Sequence, residues 1–127
     1  MNELKLFESE YRFMDLIWRS EPVNSTELCR MARNELEWKK STCYTVLKKL
    51  ADKGFIKNEK ATVSALVARE QVQKYESENL IARNFSGSLP AFLNAFLKDR
   101  KLTKSEAEAL HKMIEEAVPE TDEKGEI

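Results

Sequence analysis

Residues 38–54 read WKKSTCYTVLKKLADKG, a segment in which apolar side chains recur with a helical period. Cys43, Val46, Leu47 and Leu50 fall on one face of such a helix. Gly54 follows at the place where a helix ends in a left-handed residue. The opposite face carries hydroxyl and charged side chains, namely Ser41, Thr42, Tyr44, Thr45, Lys48, Lys49 and Asp52. The segment therefore predicts a helix with one buried face and one polar, largely cationic face.

Two further helices are predicted before this segment. The first has an apolar face made of Phe13, Met14, Ile17 and Trp18, and it ends at Glu21-Pro22. Asn24 with Glu27 three residues later is typical of a helix start. The second helix would bury Leu28, Met31 and Ala32, and a polar connection over 34–37 would lead to a third helix that begins at Trp38.

The pattern changes after Gly54. Residues 55–58 and 62–67 favour strands, and the three residues between them give hairpin spacing. Helical periodicity returns at Glu70 and is broken at Ser86-Gly87-Ser88. Ser88 can cap a helix over 89–98, and Thr103 with Glu106 forms a capping box for a last helix that Pro119 stops.

Three helices, a hairpin and further helices are the element order of a winged helix-turn-helix. We therefore predict a mainly α fold, with a winged helix DNA-binding domain over 1–70 that carries a small β-hairpin wing. Residues 71–118 are predicted to form a helical dimerisation region, and residues 119–127 a disordered tail.

The charge is unevenly distributed along the chain. The whole sequence has 21 Lys and Arg against 22 Asp and Glu, a net charge of -1. Between Trp38 and Lys60, however, seven Lys face only Asp52 and Glu59, so this segment carries +5. Residues 100–127 hold five basic and eight acidic side chains, a net charge of -3. The third helix and the hairpin are thus positive enough to bind phosphate, although the net charge of the whole chain is not.

Several classes of site find no support in the composition. The chain has two Cys and one His, in no metal-binding or nucleophilic arrangement, so we predict no enzyme activity, no metal and no cofactor. Cys43 lies on the apolar face of the third helix, and we interpret it, like Cys29, as a small buried hydrophobic residue rather than a redox sensor. His111 is expected at the surface. Apolar runs fall short of the roughly 18 to 20 residues of a membrane span, and the first residues lack a signal-sequence pattern, so we predict a cytoplasmic protein without membrane insertion.

Residues 38–54 resemble the W-x-x-x-T-x-x-T-x-L-x-R-L-x-x-K-G pattern of the penicillinase-repressor family, which comprises the BlaI, MecI and CopY repressors. The resemblance extends over about residues 6–118 and includes Glu10, Met14 and Leu16-Ile17-Trp18. Phe85-Ser86-Gly87-Ser88-Leu89 is similar to the joint before the family's dimerisation helices. The resemblance implies a transcriptional repressor.

The resemblance also implies roles for individual residues. Thr42 and Thr45 would read bases, while Ser41 and Lys49 would contact DNA or its backbone, with Lys49 in place of the usual Arg. Two roles remain for Trp38: its indole N–H could donate to a phosphate, or its side chain could be part of the core. The complete predicted DNA-binding set is Trp38, Lys39, Lys40, Ser41, Thr42, Tyr44, Thr45, Lys48, Lys49, Lys53, Lys57 and Lys60.

The sequence departs from the family at three places. Family members often have Gly-Arg near the wing turn and an aromatic residue in the returning strand, where this chain has Ala61-Thr62 and Leu66. Penicillinase repressors are cut at an Asn-Phe bond by a pathway that starts at a membrane sensor-protease; the corresponding cleavage region here is Ala95-Phe96. The C-terminal CxCx4CxC cluster of copper-responsive members is missing, which excludes copper sensing by that cluster.

The apolar side chains near the C-terminus predict a homodimer. Two short helices cannot shield Phe92, Leu93, Phe96 and Leu97 from water by folding on each other, so a partner subunit is expected. The predicted interface is Leu80, Phe85, Leu89, Phe92, Leu93, Phe96, Leu97, Leu110, Met113 and Ile114. The predicted function is repression from a pseudo-palindromic operator on double-stranded DNA. The alternative is a winged-helix interaction module that does not bind DNA.

Overall fold

The computed structural model describes residues 3–120, which form six helices and a small sheet. The elements are α1 (Glu8–Ser20), β1 (Val23–Asn24), α2 (Ser25–Leu36), α3 (Lys40–Asp52), β2 (Ile56–Glu59), β3 (Thr62–Ala65), α4 (Arg69–Phe85), α5 (Leu89–Leu97) and α6 (Lys104–Ala117). The predicted fold class is confirmed. Of the predicted tail, residues 121–127 lie outside the described residues.

The described residues form two compact units, which divide between Gly87 and Ser88. The first unit contains the winged helix-turn-helix and α4, and the second contains α5 and α6. The predicted boundary after residue 70 divides a DNA-binding region from a dimerisation region and does not coincide with the division into compact units. It stays a prediction.

The core of the first unit is built from the apolar faces that the periodicity predicted. Among the predicted positions, the fully or nearly fully buried side chains are Phe13, Met14, Ile17, Leu28, Ala32, Cys43, Leu47 and Leu50. Trp18, Met31 and Val46 are half-buried at the edge of this core. Helices α1, α2 and α3 therefore pack on one another as predicted.

A polar contact attaches the start of α4 to α1. The Trp18 indole N–H donates to the Val67 carbonyl at 2.9 Å, and the Arg69 guanidinium lies 4.8 Å from the centre of the Trp18 ring. Arg69 also donates to Asp15 at 2.6 Å. Burial acts to raise the pKa of the Asp15 carboxyl, but the hydrogen bonds from Arg69 and Arg19 outweigh it, so the pKa is lowered. The charged carboxylate therefore stabilises the fold near neutral pH, and this contribution is lost as the pH falls through the folded-state pKa.

The sheet has one strand more than the sequence predicted. Its order is β1-β3-β2, antiparallel throughout, with Val23 opposite Val63. Strand β1 has only two residues, too few to show an alternating pattern. The Ser25 backbone N–H donates to the Ala61 carbonyl at 2.8 Å, so the wing turn is bonded directly to the start of α2.

The boundaries of two predicted helices and both predicted strands were wrong. Helix α2 runs to Leu36, because the polar residues Asn34 and Glu35 are its exposed face and not a loop. Helix α3 begins at Lys40, so Trp38 precedes the helix. The strands are shorter than predicted on the returning side, and their turn has two residues, Lys60 and Ala61, rather than three.

Cys29 and Cys43 are buried as predicted, but they are not separate hydrophobic residues. They form a disulfide between α2 and α3, with a Cα–Cα distance of 5.8 Å. The two cysteines are 14 positions apart, which matches no known motif, and only the packing of the two helices brings them together.

The second unit exposes much of its apolar surface. The Ser88 hydroxyl caps α5 by accepting the Ala91 N–H at 3.1 Å, and the predicted capping box of Thr103 and Glu106 opens α6. Neither helix has a buried residue. Within residues 3–120, no helix combines the length and the apolar character needed to cross a bilayer.

The turn of the wing offers a test of local strain. Lys60 and Ala61 both have positive φ, at 53° and 65°, a conformation that costs an L-residue about 1–2 kcal/mol. We expect Ala61→Gly to raise the free energy of unfolding by about 1 kcal/mol, because glycine adopts this turn without strain. Urea denaturation measures the change.

The matched control is Ala82→Gly at an exposed position inside α4. The same substitution should there lower the free energy of unfolding by about 1 kcal/mol. Loss of stability in both variants would contradict the strained turn.

Candidate nucleic-acid interface

Helix α3 presents its polar face to solvent because its apolar face is fixed in the core. Cys43 and Leu50 are completely inaccessible and Leu47 is nearly so. The predicted contact residues of the outer face are all exposed: Ser41, Thr42, Tyr44, Thr45, Lys48 and Lys49. The structure therefore brings the predicted base-reading hydroxyls and two lysines onto one accessible surface.

The first turn of α3 is unusually positive. Lys39 is its N-cap and makes no side-chain cap, Lys40 is its first residue, and the turn holds no acidic side chain. Helices α1, α2, α4 and α6, in contrast, each have a glutamate in the first turn. Since the N-terminus of a helix carries partial positive charge, two lysines there favour a bound anion such as phosphate.

An open pocket of about 650 Å³ lies beside this helix start, between α2 and α3. Four cationic side chains line it: Arg30 and Arg33 of α2, with Lys39 and Lys40. The sequence analysis missed the two arginines. Their spacing of three residues places them on one face of α2, but only the packing of α2 against α3 shows that this face adjoins the predicted contacts.

Trp38 has a structural role that the sequence left open. Its ring stacks on Phe13 with 5.1 Å between centroids, and the side chain is half-buried against the core. The remaining surface of Trp38 lines the cationic pocket. Trp38 thus contacts the core on one side and the pocket on the other.

The remaining lysines fall into two groups. Lys57 and Lys60 of the wing are exposed, and Lys57 is 3.9 Å from Glu59. Lys48 forms an ion pair of 3.3 Å with Asp52, in which the lysine side chain is 79% exposed. Exposed pairs of this kind contribute about 0–1 kcal/mol, so both lysines remain free to exchange partners.

Lys53 is different, because its ammonium group is engaged inside the protein. It lies 3.1 Å from a carboxylate oxygen of Glu10, whose side chain is only 4% exposed, and it also donates to the Lys5 carbonyl. The same carboxylate accepts the Phe7 backbone N–H at 2.9 Å. Lys53 therefore neutralises a buried charge and connects the C-terminal end of α3 to the start of α1.

Known proteins resemble this chain over most of its length. The sequence pattern described as Penicillinase repressor matches residues 6–116. This protein belongs to the penicillinase repressor family. Its relatives include the methicillin resistance regulatory protein MecI of Staphylococcus aureus strain Mu50, 22% identical over 87% of this chain and 93% of MecI. The penicillinase repressor of Bacillus licheniformis is 22% identical over 88% of this chain and 91% of that protein.

Membership in the penicillinase repressor family places the protein among transcriptional repressors, a class of proteins that are not enzymes. A third relative, named an uncharacterized 16.5 kDa protein of Latilactobacillus sakei, is 29% identical over 73% of this chain and 69% of that protein. The family resemblance predicted from residues 38–54 is confirmed.

The contact between Lys53 and Glu10 predicts a stability effect. Lys53→Gln removes the positive partner of a buried carboxylate, and we expect it to lower the free energy of unfolding by about 2–3 kcal/mol. The matched control is Lys48→Gln on the same helix, where the exposed pair with Asp52 should change stability by at most about 0.5 kcal/mol. Equal effects of the two substitutions, measured by urea denaturation, would contradict a structural role for Lys53.

Proposed function

We propose that this protein is a homodimeric, sequence-specific DNA-binding repressor that binds a pseudo-palindromic operator. The observation that carries the proposal is the outer face of α3, where exposed hydroxyl groups stand beside exposed lysines on a helix whose other face is buried. A helix of this kind fits the major groove. Family membership independently supports a repressor.

Specificity would come from Thr42 and Thr45. They lie three residues apart and therefore on the same exposed side of α3. A threonine hydroxyl can donate to or accept from a base edge, and its methyl group can pack against the methyl group of thymine. Ser41 and Tyr44 border this pair and would add further contacts.

Affinity would come from contacts to phosphate. The lysines placed for this role are Lys39, Lys40, Lys48, Lys49, Lys57 and Lys60, and Arg30 and Arg33 extend the set along α2. Each phosphate that is neutralised releases condensed counterions, so binding should weaken steeply with salt. Lys53 contributes to this surface only indirectly, because its charge is paired with Glu10.

The dimer is supported by the exposed apolar side chains of the second unit. Leu89, Phe96, Met113 and Ile114 are each at least half exposed, and no residue of α5 or α6 is buried in the single chain. A second copy of the chain would cover this surface. Two recognition helices held about one turn of DNA apart would then match the two half-sites of the operator.

Induction through a membrane sensor-protease rests on the family resemblance alone, and Ala95 stands where the family's cut bond has Asn. The predicted cleavage region, Ala95-Phe96, lies on exposed positions of α5. Cleavage there would divide the apolar helix that the dimer needs, and repression would end. A repressor acts where the chromosome is, so the expected location remains the cytoplasm.

The role of the two threonines can be tested with DNA selected from genomic fragments. We expect Thr42→Ala with Thr45→Ala to reduce the preference for the selected operator over random duplex by about tenfold or more, since each lost base contact costs about 1–3 kcal/mol. Weak, salt-sensitive binding to any duplex should remain. Fluorescence anisotropy at two salt concentrations measures both quantities.

Ser77→Ala, on the exposed side of α4, is the control for this test, because it removes a hydroxyl away from α3. An unchanged preference in the double variant would sink the assignment of base reading to these threonines. If the unaltered protein showed no salt-dependent binding to DNA at all, the interaction module would be favoured instead.

The dimer has a separate test. We expect Phe96→Glu in the full chain to give a monomer, because it introduces a charge into the apolar surface. Operator affinity should fall by about tenfold or more when the two half-sites are no longer bound together. Light scattering after size-exclusion chromatography measures the mass.

Leu66→Glu is the matched control, since Leu66 is 56% exposed, Phe96 is 50% exposed, and Leu66 lies outside the predicted interface. This control should remain a dimer. A dimeric Phe96→Glu variant would contradict the proposed interface.

A further inference from the structure

The disulfide between Cys29 and Cys43 joins the two helices that form the helix-turn-helix. Cys29 belongs to α2, and Cys43 is the residue of α3 between Thr42 and Tyr44. Their Cα atoms are 5.8 Å apart, within the range in which two cysteines can be bonded without movement of the backbone. The chain has no other cysteine, so these two can pair only with each other inside one molecule.

The two cysteine residues differ in their exposure to solvent. Cys43 is completely inaccessible, whereas Cys29 is 8% exposed and lines the pocket of about 650 Å³ between α2 and α3. A small molecule can therefore approach Cys29 through this pocket, whereas Cys43 is not part of the pocket lining. Cys29, which lines the pocket, therefore has the position of the attacking thiol, and Cys43 has that of the resolving thiol.

The lining of the pocket places positive charge near Cys29. Arg33, Lys39 and Lys40 line it together with Cys29, and so does Arg30, whose guanidinium is paired with Glu27. Glu37 is the single acidic residue of the lining. Positive charge close to a cysteine favours the thiolate, which is the nucleophilic form. A buried cysteine in purely apolar surroundings would lack this assistance.

We propose that Cys29 and Cys43 form a reversible oxidation site for a small hydroperoxide, and that the disulfide strengthens DNA binding by fixing α3 to α2. The chemical part of the proposal stands on the cysteine pair and the pocket alone. The effect on DNA rests on the proposed repressor function.

Oxidation proceeds in two balanced steps. The Cys29 thiolate attacks one oxygen of the hydroperoxide, the O–O bond breaks, Cys29 becomes a sulfenic acid, and the alcohol or water leaves after taking up a proton. The Cys43 thiol then attacks the sulfur of the sulfenic acid, the S–S bond forms, and the sulfenic oxygen leaves as water. The two cysteines lose two electrons, which the peroxide accepts. A dithiol reverses the reaction by thiol–disulfide exchange and is itself oxidised.

The bond bears directly on the surface that would read DNA. Cys43 is buried in the core, whereas Thr42 and Thr45 are exposed on the same helix. A covalent link at Cys43 therefore restrains the helix that carries both threonines. A binding surface that is restrained in its bound arrangement loses less entropy on binding, so the oxidised protein should bind the operator more tightly.

The chemical part is tested on the unaltered full chain. Protein reduced with dithiothreitol and protein treated with equimolar hydrogen peroxide are alkylated with iodoacetamide under denaturing conditions and weighed by mass spectrometry. The reduced sample should gain two carbamidomethyl groups and the oxidised sample none. The oxidised protein should melt on the order of 10 °C higher, because the cross-link constrains the unfolded chain. Two free thiols after peroxide treatment would overturn the proposal.

The regulatory part uses the operator selected above. Oxidised protein should bind it about threefold to tenfold more tightly than reduced protein, and Cys29→Ala should bind equally under both conditions. The comparison of the two states of the unaltered chain does not depend on the folding of the variant. Equal or weaker binding by the oxidised form would overturn the inference but leave the repressor function standing. Absence of binding in both states would instead contradict the repressor function, while the alkylation result would still decide the oxidation site.

Discussion

The burial of one face of α3 is the constraint on which the rest of the structure depends. Cys43, Leu47 and Leu50 enter a core shared with α1 and α2, and each buried leucine contributes about 1.5–3 kcal/mol. Rotation of α3 about its axis would bring these side chains into water and bury lysines in their place. The helix therefore has one stable setting, and in that setting its hydroxyl and lysine face is turned outward.

Two specific contacts restrain α3 near its ends. The disulfide to Cys29 lies close to its first turn, and the ion pair of Lys53 with the buried Glu10 lies just past its last residue. Between them, the apolar contacts set the rotation of the helix. A surface that reads base edges depends on such restraint, because hydrogen bonds to bases tolerate little displacement. The same two contacts give a cysteine and a lysine within this segment partners inside the protein.

The nearly neutral total charge conceals a division of chemistry between the two units. The first unit places its cationic side chains around α3, the pocket and the wing, where phosphate would lie. The second unit exposes apolar side chains on α5 and α6, and neither of these two helices has a buried residue. One unit is thus suited to a charged partner and the other to a second apolar surface. A cationic unit together with an apolar unit is consistent with membership in a family of transcriptional repressors.

Helical periodicity and capping predicted the helices, their buried faces and the outward residues of α3, because both are properties of neighbouring residues. Four features follow only from the tertiary structure. They are the strand Val23–Asn24, the Cys29–Cys43 bond, the stacking of Trp38 on Phe13, and the approach of Arg30 and Arg33 to Lys39. Each of these joins residues whose separation along the chain follows no repeating pattern. Such contacts arise when whole helices pack, and the free energy of burying their apolar faces selects them.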